Sequence, residues 1–134
     1  MMISTRGRYA LRVMIDIAEN SNGEYIAMKE VAARQEISLK YMEKIMPVLV
    51  ANNLCEGIHG KGGGYKLTRD PSEYTIGEIL RLTEGDLAPV ACLECNAEKC
   101  ERSDQCRTLP MWKDLNELIN KYFDGVTLAD LMKH

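Results

Sequence analysis

The chain has 134 residues, 46% hydrophobic and 28% charged, with a formal net charge of −3. This length sets one compact domain, or a domain with an appendage, and the balance excludes a disordered or fibrous chain. No apolar run suits a transmembrane helix or a signal-peptide core, so a cytoplasmic protein is expected, its five cysteines outside any disulfide frame.

Tyr9, Val13, Met14, Ile17 and Ala18 recur at helical spacing and predict a helix from Ser4 to Asn20, with Arg8, Arg12, Asp16 and Glu19 off its apolar face. Asn22-Gly23 stops it. A short helix over 28–35 is expected to bury Met28, Val31 and Ala32. Ser38 then caps a third helix whose Met42, Ile45, Met46 and Leu49 fall at i, i+3, i+4 and i+7. Its other side carries Ser38, Lys40, Tyr41, Glu43 and Lys44. Pro47 removes the amide that would bond the carbonyl of Glu43, which predicts a kink or an early end.

Two short helices in this order read as a helix-turn-helix, with a plain helical hairpin as the alternative. The next segment decides between them. Strands over 54–59 and 64–68 flank a tip with His59 and Lys61, where Gly60, Gly62, Gly63 and Gly64 let the backbone turn tightly and approach a partner. A helix-turn-helix followed at once by a basic-tipped hairpin is a winged helix. A nucleotide-binding loop does not fit, because Gly62 follows Lys61 where Ser or Thr is needed, and Tyr65 stands where a third glycine belongs. Charge agrees: residues 1–70 carry ten Lys/Arg against eight Asp/Glu, and residues 71–134 carry seven against twelve. The first half is suited to a polyanion.

Thr75-Ile76-Gly77-Glu78 reads as a capping box opening a helix with Ile79, Leu80 and Leu82 that stops at Gly85. Residues 86–107 have no period and hold Cys92, Cys95, Cys100 and Cys106 in the spacing C-x2-C-x4-C-x5-C. Thiolates on such a loop can converge on a soft metal; a structural zinc, a thiol redox switch and plain exposed cysteines compete with an iron–sulfur cluster for them. Cys55, on a wing strand, reads as a small buried hydrophobe. Thr108 caps a long helix with Pro110 in its first turn, and its apolar face is Trp112, Leu115, Leu118, Ile119, Tyr122 and Phe123. That face packs either inside the monomer or, by preference, against a symmetry mate, because a reader of a palindrome needs a dimer. The expected fold is mainly α: a winged helix-turn-helix over 1–72, with a two-stranded wing, then a cysteine loop and dimerisation helices over 73–134. No catalytic constellation is present, so an enzyme is not expected.

The segments "ISTRGRYAL", "ISLKYMEKI", "GKGGGYKL", "TIGEILRLTEG" and "LPMWKDLNE…TLADL" together resemble the Rrf-two family of bacterial winged-helix regulators, over essentially the whole chain. The resemblance implies a homodimer on a partly palindromic double-stranded operator, with Ser38, Lys40, Tyr41, Glu43 and Lys44 in the major groove. His59, Lys61, Gly62 and Gly63 would act from the wing. Glu43 suits a cytosine amino group, and Lys40 and Lys44 suit phosphate or guanine. Many members have an arginine where this chain has His59, which shifts minor-groove work toward Lys61.

The resemblance also gives Cys92, Cys100 and Cys106 the places of three cluster ligands, with a 2Fe–2S cluster preferred over 4Fe–4S. The fourth ligand departs from the family. One branch has a histidine where this chain has Leu109, and another an aspartate where it has Arg8, which leaves Cys95, a carboxylate or a partner-subunit group. The expected function is a cluster-controlled DNA-binding regulator, read as a repressor. The alternatives are a cysteine-metabolism-type repressor sensing through a partner protein or thiol oxidation, and a zinc-stabilised regulator. An electron-transfer protein and a protein-docking module are the rivals from other classes.

Overall fold

The computed structural model describes residues 3–95 and 97–133. Helix α1 (Thr5–Asn20) starts where Ser4 Oγ accepts the Gly7 amide, and buries Ala10, Val13, Met14 and Ile17. Asp16 is the exception to its expected polar face. It is 2% exposed, and its burial is compensated because Arg34 Nη2 approaches at 2.7 Å and Gln35 Nε2 donates at 2.9 Å. Those partners stand at the end of α2 (Met28–Gln35), so the buried carboxylate ties the first two helices together. Glu36 leaves α2 in the left-handed region, and Ile37 is buried in the turn.

Helix α3 (Leu39–Ala51) is capped by Ser38 Oγ on the Tyr41 amide and buries Met42, Ile45, Met46 and Leu49 as expected. It passes through Pro47 and continues for another turn, so the early end does not occur. Glu43 and Pro47 are both exposed, so the carbonyl that loses its amide partner lies on the water-facing side.

Strands β1 (Cys55–Ile58) and β2 (Gly64–Leu67) pair antiparallel with Cys55 opposite Leu67 and Gly57 opposite Tyr65; β1 is one residue shorter at each end, and β2 one at its outer end, than the sequence pattern suggests. The hairpin has a brace the sequence did not reveal. Ile26 and Tyr65 exchange both backbone hydrogen bonds at 2.8 Å, adding a third short edge from the segment before α2. Gly64 makes this possible, because a Cβ there would collide with the Ile26 carbonyl.

Tyr74 sits under the wing, fully buried, its hydroxyl donating to the Leu54 carbonyl at 2.7 Å and accepting the Thr68 and Arg69 amides. Helix α4 (Ile76–Glu84) is capped by Thr75 Oγ1, but the expected box is only half made: the Glu78 carboxylate is taken by Arg69 at 3.0 Å. Ile76, Ile79, Leu80 and Thr83 face inward, while Leu82 is exposed, contrary to the pattern read from sequence. After the cysteine segment comes α5 (Leu109–Asp124), followed by a turn that seats Leu128 in the core. Thr108 stands at the start of α5 without a side-chain cap; its hydroxyl lies 3.4 Å from Cys106 Sγ instead. Arg81 grips Asp124 with two bonds at 2.8 and 2.9 Å and reaches Asn120, fixing α5 on α4.

Candidate nucleic-acid interface and thiol loop

The inward stripe of α3 leaves Ser38, Lys40, Glu43 and Lys44 exposed together on the opposite side. Tyr41 departs from expectation. It is half-buried, its ring edge-on to Tyr9 of α1 at 5.4 Å between centroids, so part of its surface serves to seat α3 on α1. The Tyr9 ring also lies under the Arg12 guanidinium, and Arg12 in turn holds the Gln35 side chain and carbonyl. The reading face is therefore fixed from behind by a polar and aromatic seam.

At the wing, His59, Lys61 and Gly62 are exposed and Gly63 is half-buried, its amide closing a turn on the Gly60 carbonyl at 3.0 Å. Gly60 and Gly62 have φ of 95° and 80°, which side chains resist, so the tip needs glycine for its shape. Lys61 has no acidic partner among the described residues, whereas Lys66 lower in the wing is engaged by Glu56 at 3.3 Å. Cys55 at the base is 2% exposed, and burial pushes its thiol up to about 12, which makes it inert packing.

Among its described residues the segment 86–107 has a single 3-10 turn, Ala91–Leu93, and hydrogen-bonded turns over 101–105, with no longer helix or strand. Cys92, Cys100 and Cys106 line one open cavity of about 300 Å³. Lys99 and Lys113 stand on its wall beside them. The Thr108 hydroxyl holds the Cys106 thiol below its ordinary value. Cys95 is elsewhere: its amide donates to Asp86 Oδ2 at 2.7 Å, and the hydrogen bond of its thiol with that carboxylate raises it. The Asp86 carboxyl is lowered in return, by the Cys95 amide first and the Ala88 amide second.

Among the described residues no three His, Cys, Asp or Glu side chains converge closely enough to hold a single ion. Three thiols on one wall are a donor set that soft metals accept, as a single ion or as a bridged cluster.

One end of the loop is anchored in the body. At the C-terminal end of α4, Glu84 Oε1 accepts from the Ser4 amide at 2.9 Å and the Ser4 hydroxyl at 2.8 Å. Gly7 leaves room for it, since a Cβ there would collide with that same oxygen. Sequence reasoning missed Glu84, Asp86 and Asp16, because a carboxylate on a helix end or flank looks like ordinary surface charge until its partner is known.

Along α5 no residue is fully buried. Trp112, Ile119 and Phe123 are half-buried, and the last two pack on the core, whereas Leu115, Leu118 and Tyr122 are 37%, 64% and 68% exposed. The expected stripe is therefore split between the monomer's own core and open surface.

A reading helix exposed beside a glycine-tipped hairpin, on a body closed by a long C-terminal helix, defines a winged helix-turn-helix protein. Residues 3–134 match the Rrf2 family, described as "Iron-dependent Transcriptional regulator". Over all 134 residues the chain is 33% identical to the HTH-type transcriptional regulator IscR of Serratia proteamaculans, covering 80% of that protein. Its fold is similar to that of CymR, the global cysteine regulator of B. subtilis, with a TM-score of 0.78 and 32% identity over 98% of this chain and 95% of that one. It is similar also to IscR of T. potens, with a TM-score of 0.76 and 28% identity over 98% of this chain and 85% of that one. The chain belongs to the Rrf2 family of transcriptional regulators, and the relatives it matches are regulators, not enzymes.

Proposed function

We propose that two copies of this chain grip a partly palindromic DNA operator, under the control of an iron–sulfur cluster on the 86–107 loop. The observation that carries the DNA reading is the grouping of Ser38, Lys40, Glu43 and Lys44 on the outer side of α3, with Lys61 free at the wing tip. In a groove ~12 Å wide, Glu43 accepts from a cytosine amino group while Lys40 and Lys44 meet guanine or phosphate. Tyr41 joins them with the part of its ring that Tyr9 leaves open. His59, Lys61, Gly62 and Gly63 lie against the flanking backbone. Leu115, Leu118 and Tyr122, with the open edges of Trp112 and Ile119, meet the same residues of the second copy.

Cys92, Cys100 and Cys106 would hold the cluster, 2Fe–2S in preference to 4Fe–4S, since they share one cavity. When bound, the cluster supplies an iron centre sensitive to oxidation, nitric oxide and iron loss. What this chain's own residues contribute is a contiguous path: the loop is held by Asp86, α4 reaches α1 through Glu84 and Ser4, and α1 seats α3 through Tyr9 and Tyr41. A coupling of one to three kcal/mol along it changes operator affinity roughly 5- to 150-fold.

Binding of a candidate operator measured from low to high salt tests the DNA reading. The logarithm of affinity should fall linearly with the logarithm of salt, and K40A/K61A should flatten the slope by about one unit for each phosphate no longer neutralised. An unchanged affinity and slope in that variant would remove the regulator reading. The likeness to CymR supports a second reading, in which the thiols respond to oxidation or to a partner protein. Iron and acid-labile sulfide in anaerobically purified protein decide between the two.

A further inference from the structure

The fold divides the four loop cysteines three to one. Cys92, Cys100 and Cys106 share a cavity, while Cys95 lies outside its lining and is engaged by Asp86. Recruiting Cys95 would take its thiol from Asp86, to which the Cys95 amide also donates, and would draw that anchored backbone toward a cavity it does not line. The fourth donor is better sought on the cavity wall itself.

Two oxygen-bearing side chains stand there, Ser103 and Asp104. The Ser103 amide donates to the Cys100 carbonyl at 3.0 Å, and the Gln105 amide to the Arg102 carbonyl at 2.9 Å. These successive turns curl the chain between Cys100 and Cys106 so that residues 103 and 104 reach the wall those cysteines share. Ser103 Oγ is buried and has no hydrogen-bond partner among the described residues, which is costly unless something in the cavity accepts its proton. A thiolate or inorganic sulfide does so. Asp104 is exposed on the same wall, and its partner Lys99 lies 3.7 Å away, a surface pair that costs little to give up.

We infer that Asp104 completes a set of Cys92, Cys100 and Cys106 around the cluster, with the Ser103 hydroxyl donating to one of its sulfurs and Cys95 standing outside. The assignment rests on the cluster reading above.

The test is anaerobic loading of the full chain with ferrous iron and sulfide, followed by iron and sulfide counts, visible absorbance, electron paramagnetic resonance of the reduced form and reduction potential. Cys95→Ser should load as wild type does, with an unchanged spectrum. Asp104→Asn should change the resonance signature and lose iron to a mild chelator about tenfold faster. Asp104→Cys should restore loading, with an all-thiolate spectrum and a lower potential. Ser103→Ala should load fully but at a lower potential, since one hydrogen bond to sulfur is gone. A wild-type spectrum in Asp104→Asn, or an altered one in Cys95→Ser, overturns the assignment. Unchanged melting of iron-free Asp104→Asn separates ligand loss from misfolding. Wild-type protein that takes up no sulfide-bridged iron defeats the cluster reading itself, and the assignment with it.

Discussion

Asp16 is a single side chain that ties α1 to α2, behind the proposed DNA-facing side of α3. Its carboxylate is buried between α1 and α2 and takes hydrogen bonds from Arg34 and Gln35. Asp16→Ala leaves Arg34 able to reach water, since that side chain is 39% exposed, so the loss is moderate: about 2 kcal/mol in urea unfolding, for hydrogen bonds to a charged group. A loss below a few tenths of a kcal/mol would mean that packing alone fixes the α1–α2 angle. At this scale the sequence was only partly legible. Periodicity separates apolar from polar, and it found Met42, Ile45, Met46 and Leu49 without difficulty. It assigned Asp16 to solvent because nothing local announces a partner 18 residues on. Tyr41 is ambiguous for a related reason: an aromatic ring can serve a groove and a neighbouring helix at once, and only the position of Tyr9 divides its surface.

Among the elements, α4 and α5 are joined by a pair whose pH dependence has a definite sign. Hydrogen bonds from Arg81 hold the Asp124 carboxyl below its ordinary value. A carboxyl lowered on folding adds stability that is complete above the unfolded value near about 4 and fades as pH falls through the folded value. The stability difference between wild type and Asp124→Asn should therefore be present at neutral pH and shrink toward zero in strong acid, as read by thermal melts across that range. A difference that grows in acid would exclude this account. Element positions themselves were well marked by Ser4, Ser38, Thr75 and the wing glycines, whose local chemistry acts within a few residues. Pro47 did not end the helix, because its cost depends on where the orphaned carbonyl points, and here that side is exposed. Thr108 misled because Cys106 competes for its hydroxyl.

For the molecule as a whole, α5 presents Leu118 and Tyr122 at 64% and 68% exposure, next to residues that already pack on the core. Charges placed there should spare the fold and break the proposed pairing. Leu118→Glu with Tyr122→Glu is expected to sediment as a monomer with a near-wild-type melting curve, and to bind a two-half-site operator at least about tenfold more weakly. A dimer that persists in this variant would place the interface elsewhere. The general architecture could be read from the order of helices and glycines, whereas the three-to-one division of the cysteines could not, since it depends on where Asp86 lies. The stitch between Tyr65 and Ile26 has a mechanical meaning as well. A hairpin standing on its own base would swing like a flap. This one is sewn to the segment entering α2, so a force on Lys61 has a hydrogen-bonded route into the helix pair.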